Sequence, residues 1–398
     1  MSEKKYEIMR EINELKSQLS SAKRIGFFFG AGTSMSMGVP GVIKLTDQVI
    51  ASLNQDEKLM IEKIKSCLKS FSPDCNINIE DILNHVRLIR QITRDSESKG
   101  FEGINGQDAK SLDKNICSKI YDVIIEKEID ADRGPMELFA SWLNWLPRDY
   151  NKEIFTLNYD LILEKSFEEL QIPYFDGFIG ANEPFFLAES IEGKDKLDLP
   201  PISWIRLWKL HGSFGWIWQK RSDEDAYRIV RVGAFGSERD TSKELVIYPS
   251  RDKYELSRKQ PFTAYFDKLR NYLQEGELLF IINGYSFSDE HINEILFSSL
   301  RQNNRLHVIA FIFNDIDSEE IKDQFKRYLN ITIYCPSYAI IGGFLGEWDL
   351  RENSIEIPNY LIDEEKKLKL GDFKNLVSFV IENCGKKFNR EIADDTHV

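Results

Sequence analysis

The fold prediction rests mainly on residues 24–40, RIGFFFGAGTSMSMGVP. The run Ile25–Phe29 is apolar and broken only by Gly26, which is typical of a strand covered on both faces, as in a parallel sheet. The glycine-rich turn GAGTS at residues 30–34 follows directly, and Pro40 closes the segment before an expected helix. Glycines in such a turn let a backbone approach a pyrophosphate, and the helix that follows presents N–H groups to the anion.

This turn has two open interpretations. A purely structural connection between a strand and a helix has the same appearance as a phosphate-binding turn. The segment also lacks the Gly-x-Gly-x-x-Gly pattern and the P-loop lysine. A common dehydrogenase or nucleoside triphosphatase is therefore not expected.

Strand-like runs return further along the chain, with helical stretches between several of them. They are Ile154–Leu157, Ile205–Leu210, Leu278–Asn283, Leu306–Phe313 and Ile331–Cys335. This alternation predicts an α/β fold built on a mostly parallel sheet flanked by helices. The stretch from Phe214 to Tyr248 carries WIWQK and YRIVRV around SDEDA, which predicts an antiparallel hairpin or lobe added to the sheet.

A large helical insertion is predicted after the first strand, at residues 46–135. From Leu45 to Leu146 no comparable strand run occurs, and apolar residues recur there with helical spacing. Residues 94–107, RDSESKGFEGINGQ, are interpreted as a mobile loop within this insertion.

The remaining segments complete the expected domain organisation. The sheet domain comprises residues 24–45 and 136–348, with a helical arm at residues 1–23 and a helical tail at residues 349–398, which contains one helix from Gly371 to Cys384. The arm carries an apolar stripe with helical spacing, which either packs on the chain's own domain or offers a surface for docking a partner. The stripe consists of Ile8, Ile12, Leu15 and Leu19.

Composition and charge exclude several classes of protein. The chain has 398 residues, of which 42% are hydrophobic and 29% charged, so collagenous, low-complexity and mainly disordered proteins are excluded. A net charge of −13 argues against nucleic acid as a partner of the chain by itself. No window approaches the ~18 consecutive apolar residues that span a membrane, and no signal-peptide pattern opens the sequence. We therefore expect a soluble, cytoplasmic protein without membrane contact.

Cysteine and histidine spacing gives no indication of a metal site. The five cysteines form no Cys-x-x-Cys pair, and the five histidines form no His-Glu-x-x-His motif. We expect reduced, mostly buried thiols and no bound metal. The cysteines are Cys67, Cys75, Cys117, Cys335 and Cys384, and the histidines are His85, His211, His291, His307 and His397.

Polar residues follow two of the predicted strands. In FTLNYD, residues 155–160, the strand ends in Asn158 and Asp160, and in KLHG, residues 209–212, the strand ends in His211. Because the carboxyl ends of parallel strands line the ligand crevice, these side chains are candidates for substrate contact, and a histidine there can act as a general base. Helix capping is the alternative for Asp160, and a structural role is the alternative for His211.

Two later strand ends complete the series. In INGYSFSDEH, residues 282–291, Gly284 frees the turn, while Ser288 or Asp289 can serve as a cap for the next helix. The strand from Val308 to Phe313 ends in Asn314.

Taken in order, these motifs resemble those of the sirtuin-like, NAD-consuming family over roughly residues 25–314. The series is Gly-Ala-Gly-x-Ser-x-x-x-Gly-x-Pro, Thr-x-Asn-x-Asp, Lys-Leu-His-Gly, Gly-x-Ser and a strand ending in Asn. The resemblance implies a Rossmann-like sheet that takes NAD as a substrate, with catalytic roles for Asn158 and His211. It implies NAD contacts from Gly30, Ala31, Gly32, Thr33, Ser34, Pro40, Asn158, Asp160, Gly284, Tyr285, Ser286 and Asn314.

The chain departs from the protein deacylases of that family. Where they carry Asp-Phe-Arg after the Gly-x-Pro, this chain reads GVI at residues 41–43, and where they have Gln it has Leu157. Their four-cysteine zinc module cannot be built from these cysteines. With its large helical insertion, the sequence looks more like the sirtuin-like NAD hydrolases of bacterial antiphage systems. Its length resembles the subunit that works with a HerA-type hexameric ATPase.

The resemblance implies an NAD hydrolase that releases nicotinamide and ADP-ribose and depletes NAD as an effector of antiphage defence. Because unregulated NAD loss harms the host cell, we expect a homo-oligomer of low basal activity, controlled by assembly or by the HerA-type ATPase. Two alternatives remain: a zinc-free NAD-dependent protein deacylase or ADP-ribosyl transferase, and a sensor of NAD or ADP-ribose. The presence of both Asn158 and His211 argues against a pure sensor.

Overall fold

The computed structural model describes residues 4–71, 76–146, 150–192, 200–220, 227–232, 245–247, 260–349 and 357–384. The helices of this part of the chain are α1 Ile8–Ser21, α2 Ala31–Ser36, α3 Val42–Ser52, α4 Gln55–Phe71, α5 Ile79–Thr93, α6 Gly106–Ile129, α7 Gly134–Trp145, α8 Ile162–Glu169, α9 Glu189–Glu192, α10 Phe262–Gln274, α11 Glu290–Gln302, α12 Glu319–Lys326 and α13 Phe373–Cys384.

The strands of the same residues form a large mixed sheet, a smaller antiparallel sheet and one short hairpin. They are β1 Lys4–Glu7, β2 Ile25–Phe29, β3 Gly100–Phe101, β4 Ile104–Asn105, β5 Glu153–Thr156, β6 Tyr174–Phe175, β7 Phe178–Ile179, β8 Phe185–Phe186, β9 Ile205–Lys209, β10 Gly212–Lys220, β11 Tyr227–Arg231, β12 Leu245–Ile247, β13 Leu278–Asn283, β14 Leu306–Phe311, β15 Ile331–Tyr334, β16 Tyr338–Ile341 and β17 Phe344–Asp349.

The large sheet has ten strands in the order β1-β17-β16-β15-β14-β13-β2-β5-β9-β6. From β15 to β6, neighbouring strands are parallel. Strands β5 and β9 follow β2 on one side of it in the sheet. The later strands β13, β14 and β15 lie on its other side, in that order. This is the strand order of a doubly wound Rossmann-like sheet, so the predicted fold class is confirmed.

Each central strand is buried on both faces, which is why the strands read as continuous apolar runs. Phe27 and Phe29 belong to one hydrophobic cluster, whereas Phe28, between them, belongs to another. Because successive strand residues point to opposite faces, the two clusters lie on opposite sides of the sheet. Strands β2 and β13 begin and end at the predicted residues.

Helices α3 to α6 occupy most of residues 46–135, where the helical insertion is predicted, although α3 already begins at Val42 and α7 begins at Gly134. The interpretation of residues 94–107 as a mobile loop was wrong, because they contain the hairpin β3–β4 and the first two residues of α6. The hairpin turns at Glu102 and Gly103, whose φ angles of 53° and 73° give the two left-handed positions that such two-residue loops require. Asn105 then caps α6 by accepting a hydrogen bond from the amide of Asp108, at 2.8 Å.

Residues 4–21 are part of the folded domain. Strand β1 pairs with β17 at the edge of the large sheet, and α1 then packs against α13. The apolar stripe on α1 lies inside a hydrophobic cluster, with exposed fractions from 0% to 6%. The helix is therefore confirmed, but the use of this stripe as a docking surface is wrong. The buried stripe residues are Ile8, Ile12, Leu15 and Leu19.

The predicted antiparallel lobe is a five-stranded sheet in the order β12-β10-β11-β8-β7. Strand β10 starts only three residues after β9 ends, and Gly212, with φ of 95°, allows the sharp change of direction. This turn places His211 between the two sheets. Among the described residues, no helix is long and apolar enough to cross a membrane.

Candidate functional site

The candidate site lies where four parallel strands end in register. Asn283 of β13 pairs with Phe29 of β2, Phe29 pairs with Thr156 of β5, and Thr156 pairs with Lys209 of β9. The strand order of the sheet reverses between β13 and β2, which is its topological switch point. In open α/β sheets ligands bind at such a reversal, beyond the carboxyl ends of the strands.

Ser34 links Asn158 to Asp160 at this edge. The Nδ2 of Asn158 lies 2.8 Å from the hydroxyl oxygen of Ser34, and that hydroxyl lies 2.6 Å from Oδ2 of Asp160. Ser34 and Asp160 are buried, and Asn158 is half-buried. Helix α2, which follows β2, and the segment after β5 therefore form one hydrogen-bonded unit.

This unit fixes the orientation of the Asn158 side chain. The hydroxyl of Ser34 donates its proton to Oδ2 of Asp160. The oxygen of Ser34 is then an acceptor towards Asn158, which requires the Nδ2 side of the carboxamide to face it. The carboxamide oxygen of Asn158 consequently points away from Ser34, where it can accept a hydrogen bond from a water molecule or a hydroxyl group.

Asp160 is held by further contacts. Its Oδ1 accepts a hydrogen bond from the amide of Ile162, at 3.2 Å, at the start of α8. Its backbone carbonyl accepts one from the ammonium of Lys209, which also forms a 2.8 Å ion pair with Glu164. Burial raises the pKa of Glu164, and the charge of Lys209 opposes that rise. The N-cap residue of α8 is Leu161, which has no side-chain cap, so Asp160 contacts the start of the helix from the position before the cap.

His211 contacts an acidic residue from another part of the chain. Its Nε2 lies 3.1 Å from Oδ2 of Asp289, and both side chains are largely buried. Asp289 also caps α11, because its other oxygen accepts hydrogen bonds from the amides of His291 and Ile292, at 3.0 and 3.3 Å. The ring of Tyr159 lies beside the imidazole, with 6.5 Å between ring centroids. The contact places the carboxylate of Asp289 next to the imidazole of His211.

The glycines of the first turn have a packing role that is visible in the structure. A Cβ atom on Gly30 would lie 2.4 Å from the carbonyl oxygen of Gly284, and one on Gly284 would lie 2.3 Å from the amide nitrogen of Thr33. Gly284 also has a φ of 69°, a conformation that favours glycine. Only glycines allow the turns after β2 and β13 to touch in this way.

The amides of this turn are engaged within the protein. Gly30 donates to the carbonyl of Asn283 at 3.0 Å, Gly32 donates to the carbonyl of Gly284 at 2.9 Å, and Thr33 donates to the carbonyl of Gly30 at 3.1 Å. The sequence interpretation assigned such amides to a pyrophosphate. Their observed partners favour a structural role for these three amides.

The remaining predicted residues lie around this core without forming part of the Ser34 network. Ala31, Ser286 and Asn314 are exposed, and Pro40 is half-buried. The hydroxyl of Ser286 lies 3.0 Å from that of Ser288. Among the predicted residues, the structure therefore brings Ser34, Asn158 and Asp160 into direct contact, and it brings Gly30 and Gly32 against Gly284.

Tyr285 braces the turn after β13. Its ring packs against Phe28, with 5.0 Å between centroids, and its hydroxyl donates to Asn293 at 2.9 Å. Tyr285 is buried, so it supports the loop that carries Asp289.

Two residues of the site were missed by the sequence interpretation. Asp289 was considered only as a helix cap, and its contact with His211 depends on strand order. Asn283 is fully buried, accepts from the hydroxyl of Thr33 at 3.3 Å and donates to the carbonyl of Gly371 at 3.1 Å. A polar residue ending an otherwise apolar strand was the available signal for Asn283.

The expectation of no metal rested on spacing along the sequence alone. Among the described residues, Cys67, His85 and Glu102 bring three ligand atoms to within 4.8 Å of one another. This group lies in the helical insertion, outside the edge of the sheet described above, and is treated separately below.

The chain is similar to one family model and to several solved structures. A mutant Sir2 homologue bound to 2′-O-acetyl ADP ribose has 11% identity and a TM-score of 0.40, with 94% of this chain and 99% of that chain covered. A Sir2 homologue bound to NAD has 12% identity and a TM-score of 0.36, with 77% and 84% covered. No curated protein matches the chain. The family model of the SIR2-like domain matches residues 152–334, the segment that holds Asn158, His211 and Asp289.

Proposed function

We propose that this protein is an NAD hydrolase that cleaves the bond between nicotinamide and ribose and releases nicotinamide and ADP-ribose. The SIR2-like segment supports the use of NAD. The observation that carries the proposal is the Asn158 side chain, oriented through Ser34 and Asp160 at the reversal point of the sheet.

The reaction suits residues of this kind. Nicotinamide is already a cationic leaving group in NAD, so the transition state resembles an oxocarbenium ion, as in glycoside hydrolysis. The protein has to position the ribose, supply a water molecule and accept a proton. These tasks need hydrogen-bonding groups of fixed orientation more than a strong nucleophile.

Two side chains take the central roles. The carboxamide oxygen of Asn158 orients the ribose or the attacking water. His211 accepts a proton from that water or from a ribose hydroxyl, a contribution of about 10²–10⁴ in rate for a positioned general base. Asp289 holds the imidazole through the 3.1 Å contact and stabilises the charge that it gains. After attack the water oxygen is bonded to the ribosyl carbon, and nicotinamide leaves with the bonding electron pair.

The second candidate is a deacylase or an ADP-ribosyl transferase that works without zinc. It would use the same residues but pass the ribosyl carbon to an acyl oxygen or to a protein nucleophile. The chain reads GVI at residues 41–43 in place of Asp-Phe-Arg and Leu157 in place of Gln, which favours water as the acceptor. A sensor of NAD or ADP-ribose is the third candidate, and it would bind without turnover.

One experiment separates these candidates. The purified chain is incubated with NAD in the presence and absence of an acylated peptide, and nicotinamide, ADP-ribose and acyl-ADP-ribose are quantified by chromatography. A hydrolase releases nicotinamide and ADP-ribose without the peptide. A deacylase forms acyl-ADP-ribose only with the peptide, and a sensor releases neither product.

We also propose a place for the enzyme in antiphage defence, as a cytoplasmic homo-oligomer whose NAD loss is controlled by assembly or by a HerA-type ATPase. This rests on the sequence resemblance, because the α1 stripe that offered a docking surface is buried. The test is mass photometry of the chain with and without the ATPase, together with NAD turnover at equal chain concentration. A monomer with full activity that the ATPase leaves unchanged would contradict this role for assembly.

A further inference from the structure

The helical insertion contains a cluster of three different metal-ligating side chains. Cys67 comes from α4, His85 from α5, and Glu102 from the turn of the β3–β4 hairpin. The Sγ of Cys67 lies 2.6 Å from Oε1 of Glu102, and Nε2 of His85 lies 2.8 Å from Oε2 of the same carboxylate. We propose that Cys67, His85 and Glu102 bind a zinc ion that fastens the hairpin to α4 and α5.

The donor set fits zinc in type and number. Zinc accepts thiolate sulfur, imidazole nitrogen and carboxylate oxygen, and three protein ligands leave a fourth position for water. Bond lengths of about 2.0–2.3 Å place tetrahedral ligand atoms about 3–4 Å apart. The three atoms here lie within 4.8 Å of one another, so small side-chain rotations are sufficient to surround an ion.

The charges also fit a divalent cation. A thiolate and a carboxylate together carry two negative charges, which one zinc ion offsets, and the imidazole binds in its neutral form. On binding, the thiol of Cys67 releases its proton to solvent. Without a metal, burial and the carboxylate of Glu102 raise the pKa of Cys67 to about 11, so the thiol keeps its proton and donates it to the carboxylate.

The surroundings hold the ligands in place from one side and leave the other side open. His85 is buried, with the ring of Phe101 at a centroid distance of 6.5 Å. The ammonium of Lys63 donates to the carbonyl of Gly103 at 3.3 Å and ties the hairpin turn to α4. Cys67 and the side chain of Glu102 are partly exposed, which gives a water molecule access to the fourth position.

Glu102 occupies a backbone position that its residue type disfavours. It is the first residue of the two-residue turn, with φ of 53°, where Asn, Asp or Gly are usual. A longer carboxylate at this point reaches both Cys67 and His85, which a glycine could not do.

The test uses the full-length protein, stripped with a chelator and then titrated with Zn²⁺ or with Co²⁺ as a spectroscopic probe. We expect one metal per chain by elemental analysis, a thiolate-to-cobalt charge-transfer band and a higher melting temperature with zinc. Cys67→Ser and His85→Gln should weaken binding by at least about 10–100-fold. Cys117→Ser, in the same insertion, should bind as the wild type does.

Glu102→Gln is a third variant, included in case the other two substitutions impair folding. Residue 102 lies on a partly exposed turn, and glutamine keeps hydrogen-bonding capacity there. It should fold, as judged by circular dichroism, and lose zinc affinity. Absence of stoichiometric uptake by the wild type, or equal uptake by Cys67→Ser and His85→Gln, would overturn the proposal and leave a hydrogen-bonded cluster only. The readout is independent of NAD turnover, so it stands or falls separately from the proposed hydrolase.

Discussion

The carboxamide nitrogen of Asn158 lies 2.8 Å from the hydroxyl oxygen of Ser34, although 124 positions separate the two residues in the sequence. The contact joins the turn after β2 to the segment after β5. It exists because these two strands are neighbours and end in register. The contact matters for chemistry because it fixes the Nδ2 atom of Asn158 towards Ser34 and therefore turns the carboxamide oxygen away from Ser34.

Ser34→Ala should therefore lower NAD cleavage by about 10²-fold, because a misplaced positioning group costs an enzyme about that factor. The fold should stay intact, as judged by circular dichroism. Ser36→Ala in the same helix is the matched control, since the hydroxyl of Ser36 is buried without a hydrogen-bond partner among the described residues. Equal loss of activity in both variants would refute a specific role for Ser34.

The central strands of the sheet could be predicted from the sequence because they are buried on both faces. Strands β2 and β13 are continuous apolar runs, and a run of this kind shows both its ends clearly. The hairpin at residues 100–105 was missed, since two-residue strands leave almost no pattern in the sequence. Its polar and glycine-rich composition is equally typical of an irregular loop.

The site was only partly predictable for a different reason. Asn158, Asp160 and His211 follow strands directly, so the rule on strand ends finds them. The contact of Asp289 with His211 depends on which strands are neighbours, because β5 and β2 lie between β9 and β13 in the sheet. Local sequence identifies Asp289 as a helix cap, which is correct, and says nothing of its second oxygen.

Asp289→Asn should separate these two roles. Asparagine is as good an N-cap as aspartate, so the stability should change little. The charge beside His211 is lost, and turnover should fall at least about tenfold, as part of the about 10²–10⁴ that a general base contributes. Melting temperature and nicotinamide release are the two measurements.

Ser318→Ala is the control for the cap itself. Ser318 caps α12 by accepting a hydrogen bond from the amide of Ile321. Its removal should cost about 1 kcal/mol of stability and leave turnover unchanged. If Asp289→Asn behaves like Ser318→Ala, Asp289 is a cap and nothing more.

Gly284→Ala should destabilise the protein more than Gly276→Ala. Both glycines have positive φ angles, of 69° and 66°, so placing alanine there costs about 1–2 kcal/mol of backbone strain in either variant. A Cβ on Gly284 would also meet the amide of Thr33 at 2.3 Å, whereas nothing lies within 4 Å of a Cβ on Gly276. Urea denaturation of both variants measures the difference, and equal midpoints would contradict the packing role.

Lys209→Met should be strongly destabilising. Lys209 is 2% exposed and pairs with Glu164, which is 12% exposed, so the substitution leaves a buried carboxylate without its partner. Breaking a buried pair in this way costs about 3–5 kcal/mol. The double variant Lys209→Met with Glu164→Leu should recover much of that loss in urea denaturation. No recovery would indicate that the contact of Lys209 with the carbonyl of Asp160 dominates instead.

Nicotinamide release from NAD by four purified proteins tests the central claim most directly: the wild type, Asn158→Ala, His211→Ala and the control Ser36→Ala. Circular dichroism is recorded on each preparation to establish that it is folded. We predict equal amounts of nicotinamide and ADP-ribose from the wild type and from Ser36→Ala, and none above background from Asn158→Ala and His211→Ala. Near-wild-type release by either of these two variants, or no release by the wild type, would contradict the claim.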